Sequence, residues 1–306
     1  MEESWFAEPP FGGYQQRFRV VRRLHAERTA WQSVEVLELE CFGRTLVLDG
    51  VPQTSVGEEF TYHEPLVHVP LFAHPHPRRV LIIGGGDGGA LRQVLLHRTV
   101  ERVVQVEIDR GVVDIARQYL PEISGGAYED PRVELHIADG VDFVAGTDER
   151  FDVVLVDSTD PVGPAAPLIG ATFLGSAREV LTSPGLMVMQ SGSPLTQPRE
   201  WVATVSAFKR AFPVVRPYLG WVPIYPGVIW SWVAGSREID PSAIDNITVS
   251  GRLGGLRNQL RIYNPEVHRA AFALPSFVQH LAGCDRPPTA ADLRGIGHPL
   301  PSVVPD

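Results

Sequence analysis

The first 75 residues alternate short apolar runs with turn formers. Residues 18–24, 32–39 and 45–48 are rich in Val, Leu and aromatics with a partial two-residue period, the mark of half-buried strands. Between them, Phe42-Gly43-Arg44 and Asp49-Gly50 carry the glycines that hairpin turns favour. A Pro-rich stretch at residues 70–77 then reads as a hinge, closing an N-terminal β-strand domain at about residue 75.

Beyond the hinge the period changes. Residues 79–83 form a continuous apolar run suited to a buried strand, ending in Gly84-Gly85-Gly86-Asp87-Gly88-Gly89. Helical spacing follows to about His97. Residues 103–106, 133–137, 152–156 and 185–189 repeat the strand signature, with helical patterns at 111–119 and 172–181. Strands alternating with helices predict an α/β domain around a doubly wound, mostly parallel sheet. Residues 218–222 and 228–234 add late strands. The catalytic body is expected over residues 76–284, and the tail 285–306, with Pro287, Pro288, Pro299, Pro301 and Pro305, is expected to be irregular.

Composition narrows the function classes. The chain has 306 residues, 44% hydrophobic and 21% charged, ordinary values for a globular protein. A formal net charge of −9 argues against nucleic acid as partner, because phosphate binding needs a basic face. No apolar run nears the ~20 residues that span a bilayer, so no membrane is expected. Cys41 and Cys284 lie far apart, and the N-terminus is acidic without a signal-like apolar stretch. A reducing, cytoplasmic setting is the expectation.

The candidate chemistry lies at the strand ends. Gly84, Gly86 and Gly89 fit G-x-G-x-x-G directly after a strand, and Glu107 follows about 20 residues on, where a carboxylate accepts both ribose hydroxyls. A nicotinamide dinucleotide and a sulfonium nucleoside compete for this loop. Asp87 inside it opposes a pyrophosphate and attracts a cation, and the loop holds no basic residue. Ala138-Asp139-Gly140 follows the third strand, where methyltransferase-like sheets contact the adenine edge. The sulfonium nucleoside is therefore preferred.

Asp157-Ser158-Thr159-Asp160 follows the fourth strand. A single strand-end Asp serves equally well as a helix cap or turn former. Asp87, Glu107, Asp157 and Asp160 around one crevice, however, call for a cation. His63, His68, His74 and His76 raise the question of a metal. His74 and His76 fall in the hinge, where histidine is ordinarily a solvated loop residue, and no metal is expected. A di- or polyamine suits spaced carboxylates better. Trp5, Trp31, Tyr62, Tyr225, Trp230 and Trp232 offer aromatic walls for methylene chains and cations, though each singly suits a core as well.

At this point the chain resembles a known family. Leu48-Asp49-Gly50-Val51, Glu59-Phe60-Thr61-Tyr62-His63-Glu64, the loop 82–89, Asp157-Ser158-Thr159-Asp160-Pro161, Tyr225-Pro226 and Tyr263-Asn264-Pro265 look like the spermidine synthase family of polyamine aminopropyltransferases. The likeness runs from about Trp5 to Leu281. It implies a methyltransferase-like Rossmann domain with a small N-terminal antiparallel β-domain, assembled as homodimers or homotetramers. It implies aminopropyl transfer from decarboxylated S-adenosylmethionine, a co-substrate rather than a cofactor, to putrescine, giving spermidine and 5′-methylthioadenosine. Carried over by motif, Gln32, Gln53, Gly84, Gly86, Glu107, Asp139, Gly140 and Pro164 hold the nucleoside. His63, Asp87, Ser158, Asp160 and Tyr225 hold the amine, and Asp157, helped by Tyr62, takes the proton. Agmatine, cadaverine or spermidine as acceptor, and a non-catalytic polyamine-binding paralogue, are the alternative expectations. Val56-Gly57, Ala165-Ala166, Leu168-Ile169 and Gly227-Val228 depart from the family pattern, the last three near the expected amine entrance.

Overall fold

The computed structural model describes residues 4–10, 14–160 and 163–303, without the side chains of 163–164. Five strands form an antiparallel sheet in chain order: β1 Ser4–Ala7, β2 Arg17–Arg28, β3 Ser33–Leu39, β4 Gly43–Leu48 and β5 Val51–Ser55. The β4–β5 turn is made by Asp49 (φ +46°) and Gly50 (φ +80°), as an Asp-Gly hairpin requires.

The second sheet has seven strands. They are β6 Arg79–Gly84, β7 Arg102–Glu107, β8 Val133–Ile137, β9 Phe151–Asp157, β10 Leu181–Gly192, β11 Val214–Trp221 and β12 Ile229–Ser236. The spatial order is β11-β12-β10-β9-β6-β7-β8, with β12 antiparallel to both neighbours and the remaining pairs parallel. Val153 to Val156 of β9 are all buried, which explains the continuous apolar runs: a strand covered on both faces has no polar side. The winding reverses between β6 and β9, so a crevice opens at their carboxyl ends. The doubly wound α/β sheet with a small antiparallel sheet is the architecture that the resemblance implied.

Helices join the layers. They are α1 Phe60–Ala73, α2 Gly89–Leu95, α3 Arg110–Tyr119, α4 Pro121–Ser124, α5 Gly140–Gly146, α6 Ala171–Glu179 and α7 Pro198–Ala211. Val34, Val36, Leu46 and Leu48 of the small sheet pack with Val112 and Ile115 of α3 and Ile123 of α4. That shared cluster fixes the small sheet over one end of the large one.

Two sequence expectations are corrected. Residues 60–73, the latter part of them read as hinge, form α1, although Pro65 and Pro70 lie inside it. Every residue from Thr61 to Ala73 is buried, so the helix has no polar face and no amphipathic period to betray it. The Tyr218 hydroxyl donates to the Pro65 carbonyl at 3.0 Å, tying α1 to β11 of the large sheet. A division at residue 75 would cut α1 from the sheet that it covers. The small sheet ends with β5 at Ser55, and α1 begins at Phe60. His74, expected in solvent, is buried at the end of α1.

The tail also differs from expectation. Residues Ala290–Gly295 form a helix opened by a capping box, with the Asp292 amide donating to Thr289 Oγ1 at 3.2 Å and the Thr289 amide donating to Asp292 Oδ2 at 2.8 Å. Leu293 is fully buried beneath it. The surrounding prolines masked this short start signal.

Candidate active site

A cavity of about 510 Å³ opens at the carboxyl ends of β6, β7 and β9 and is roofed by the small sheet. Its size is within the usual range of small-molecule sites. Of the residues that the resemblance assigned to nucleoside, amine or catalysis, all but Pro164 line it, and the side chain of Pro164 lies outside the described residues; Gly89, His68, His74, His76, Trp5 and Trp232 are not among the lining residues.

The Gly-rich loop serves packing as much as ligand approach. Gly84 has φ +85°, and a Cβ there would sit 2.1 Å from the Asp157 carbonyl oxygen. The bare backbone lets β6 and β9 meet, and the Gly85 amide donates to that carbonyl at 2.7 Å. A Cβ at Gly86 would press on Glu107 Oε2 at 3.1 Å, and one at Gly89 would lie 2.2 Å from the His63 ring. Gly84 thus makes room for a backbone carbonyl, and Gly86 and Gly89 make room for the Glu107 and His63 side chains. Gly140 does the same for Ile83, at 2.5 Å.

At the nucleoside end, Glu107 closes β7. Burial pushes its carboxyl up to about 7, against the Asp109 amide, which donates to Oε1 at 2.9 Å. The Gln32 amide donates to Asp109 Oδ2 at 3.0 Å, so the small sheet reaches across to the second strand of the large one. Gln53 donates to the Val51 carbonyl at 3.0 Å. Asp139 is exposed at the rim, where Oδ1 accepts from the Val141 amide at 2.7 Å as the N-cap of α5.

At the acidic end, Asp157 closes β9. Its Oδ1 accepts from the Tyr62 hydroxyl at 2.9 Å, while Oδ2 is buried with no partner among the described residues. Burial and then the charge of Asp87 push this carboxyl up to about 6. Asp87 goes the other way. Burial alone would raise it, but the His63 cation, 3.4 Å from Oδ1, and the Gly89 amide, 2.6 Å from the same atom, hold it below the usual carboxylate range. Two adjacent carboxyls are therefore split, one fixed as an anion and one poised to take a proton. Tyr62 is held well above the usual phenol range by burial and then by Asp157, so it stays a donor.

The residues expected to hold the amine all line this end of the cavity, and each has partners within the protein. His63 is 1% exposed and both ring nitrogens are occupied, Nδ1 by Glu59 at 2.8 Å and Nε2 by Asp87. A buried cation must be paired, and His63 is paired with carboxylates on both sides. The Tyr225 hydroxyl donates to the Gln53 carbonyl at 2.6 Å, leaving its ring, 5.9 Å from that of Tyr62, as the cavity wall. The Ser158 hydroxyl turns back onto the Thr159 carbonyl at 3.1 Å. Asp160 does face the cavity, with Oδ2 accepting from Gln197 at 2.6 Å, and burial raises its carboxyl.

Sequence reasoning did not single out Glu8, Gln197, Glu59 or Arg92 as site residues. Glu8 lines the cavity, and burial pushes it up to about 7. The i,i+4 spacing of Glu59 and His63 was available as a signal, but only once residues 60–73 are known to be helical. Among the described residues, no three or more His, Cys, Asp or Glu are grouped to hold a metal ion, and no helix is long and apolar enough to cross a membrane.

A Gly-rich strand-to-helix turn, a buried glutamate at the end of the next strand and a split carboxyl pair lie together beneath a small β-sheet, an arrangement suited to a transferase that takes a nucleoside and a cation. The chain belongs to the spermine/spermidine synthase family. The sequence model of the spermine/spermidine synthase domain matches residues 59–245, and that of the spermidine synthase tetramerisation domain matches residues 4–55. It is 42% identical over 279 residues to a polyamine aminopropyltransferase of Caldicellulosiruptor saccharolyticus, covering 91% of this chain and 98% of that protein. A polyamine aminopropyltransferase of Ruegeria sp. is 43% identical over 280 residues, covering 92% and 99%. Among solved structures, a spermidine synthase in complex with the transition state analogue AdoDATO superposes with a TM-score of 0.88 at 35% identity, covering 92% of this chain and 96% of that one. The spermidine synthase of Thermotoga maritima gives 0.84 at 34% identity, covering 92% and 95%. The chain is thus an enzyme of the polyamine aminopropyltransferase class.

Proposed function

We propose that the enzyme transfers the aminopropyl group of decarboxylated S-adenosylmethionine to putrescine, giving spermidine and 5′-methylthioadenosine. The observation that carries this reading is Asp157, with one oxygen on Tyr62 and the other unpartnered, next to an Asp87 held as an anion. Asp157 takes a proton from the acceptor's ammonium, and the neutral nitrogen attacks the methylene carbon attached to the sulfonium. The carbon–sulfur bond breaks, its electron pair stays on sulfur, and the positive charge passes to the newly alkylated nitrogen. The sulfonium is already an activated leaving group, so alignment and deprotonation are the main tasks.

In this reading Gln32, Gln53, Glu107, Asp139 and Gly140 hold the nucleoside, and Glu107 accepts the ribose hydroxyls. Asp87 attracts the donor's ammonium and repels the carboxylate of ordinary S-adenosylmethionine. Asp160, with Glu8 nearby, receives the far ammonium of the acceptor. The matched tetramerisation domain supports a homodimer or homotetramer, and the free thiols Cys41 and Cys284 suit the cytoplasm.

Mass spectrometry of the purified protein with decarboxylated S-adenosylmethionine and a panel of amines tests the proposal. Spermidine and methylthioadenosine from putrescine, with no product from ordinary S-adenosylmethionine, are expected. Product from another amine alone would overturn putrescine as acceptor. Bound nucleoside with no product from any amine would overturn transfer.

A further inference from the structure

Arg92, Glu59 and His63 form a line of paired charges ending on Asp87. An Arg92 guanidinium nitrogen lies 2.6 Å from Glu59 Oε1, Glu59 Oε2 lies 2.8 Å from His63 Nδ1, and His63 Nε2 lies 3.4 Å from Asp87 Oδ1. The signs alternate, so the four groups together carry no net charge. Glu59 stands just before α1, His63 lies one turn into it, and Arg92 projects from α2. Arg92 is further fixed by its Nε, which donates to the Ile123 carbonyl at 2.7 Å. Neither Glu59 nor Arg92 lines the cavity, so neither meets a substrate there. The bare backbone of Gly89 gives the His63 ring its place between the two carboxylates.

We propose that Arg92 is a positioning residue for the transfer reaction: through Glu59 and His63 it keeps Asp87 a fixed anion, so that Asp157 is the carboxyl beside it that exchanges a proton. The role rests on the aminopropyl-transfer reading. Two isolated neighbouring carboxyls share a proton and neither has a defined task. A full positive charge on His63 breaks that symmetry. Asp87 and then Glu59 sustain the buried charge of His63, and His63 and then Arg92, which faces the other oxygen, hold Glu59 ionised.

The surrounding groups fix the sign of the expected change. Asp87 is faced by His63 from α1, by Arg92 and the Gly89 amide from α2, and by Asp157 from β9. The neutral phenols of Tyr62, Tyr128 and Tyr225 stand nearby. His63 also feels Glu58 and Asp157. Without Arg92, the buried Glu59 competes more strongly for the proton of His63, the positive charge beside Asp87 is weakened, and the less compensated Asp87 charge makes Asp157 harder to ionise.

The pH profile of kcat/KM for Arg92→Gln, Arg92→Lys and Glu59→Gln tests this. The acidic limb of Arg92→Gln is expected to move to higher pH by about half a unit or more, the scale of losing a nearby opposite charge. Glu59→Gln should shift it at least as far, and Arg92→Lys should largely restore it. A merely structural Arg92 would lower activity by the same factor at every pH. Nitrogen-15 NMR of His63 gives a readout independent of turnover, in which the doubly protonated ring of the wild type is expected to deprotonate at lower pH in Arg92→Gln. An unmoved acidic limb together with an unmoved His63 titration would overturn the proposal. If the wild type transferred no aminopropyl group, the reading of the reaction would fail, and the NMR titration would still decide whether Arg92 controls His63. Should Arg92→Gln fail to fold, Arg92→Lys and Glu59→Gln carry the same comparison.

Discussion

His63 and His68 stand five residues apart on α1, 1% and 0% exposed, yet their surroundings demand opposite charge states. Burial works against a charge on both. At His63 that cost is outweighed by Asp87 and Glu59, which hold the ring well above the usual histidine range. His68 has no carboxylate partner among the described residues. Its Nδ1 lies 2.9 Å from His97 Nε2 and its Nε2 lies 3.0 Å from Gln93 Oε1, a chain that neutral rings satisfy with one proton each. Burial, with Arg92 adding to it, lowers His68 to about 3, and burial and then His68 hold His97 well below its usual range. One end of the helix therefore supplies a fixed charge to the cavity, and the other supplies a neutral core. The neighbours decide which role a buried imidazole takes.

Removing the group beside the charged end should have the largest effect. Asp157→Asn is expected to lower kcat by about 10²-fold or more, the scale of a lost general base, with melting temperature retained. Near-normal turnover in the folded variant would remove Asp157 from the mechanism. The two histidines should then fail differently. His63→Gln is expected to cost about tenfold or more in kcat/KM. His68→Gln should cost about 1–3 kcal/mol of stability, from the buried partners it strands, and leave kcat/KM within about threefold. Equal effects on both quantities would erase the distinction.

A smaller and slower effect is expected with acid. Because the folded-state affinity of His68 and His97 for protons is depressed, their stabilising contribution is full above the unfolded value near 6.5 and declines below it. For His68 the loss is about 1.4 kcal/mol per pH unit until its folded value of about 3 is reached. His63 has the opposite sign: its contribution is full below 6.5 and is lost only as pH rises through its raised folded value. Denaturant unfolding at pH 7 and pH 5 should show the decline, and it should be shallower in His68→Gln. A pH-independent stability over that interval would contradict neutral burial of the pair.

Much of the parallel sheet was legible because its strands are two-sided cores and read as unbroken Val, Leu and Ile runs. The Gly-rich turn, Glu107, Asp157 and Asp160 were legible because loops at strand ends punctuate that pattern. α1 was not. A helix buried on every side has no period, and Pro65 and Pro70 read locally as breakers. With α1 hidden, the Glu59–His63 pair could not be placed on one face, and the pairing of His63 with Asp87 was not legible. The short helix Ala290–Gly295 was missed for the reverse reason: a good capping box lay among prolines that outweighed it.

The division of labour between the two carboxyls is most directly tested by carbon-13 NMR titration of the side-chain carboxyls. Asp157→Asn and Asp87→Asn would serve to assign the two resonances. The Asp157 resonance should titrate near pH 6, while Asp87 stays ionised to well below it. An Asp87 that takes up its proton at higher pH than Asp157 would reverse the roles and contradict the mechanism.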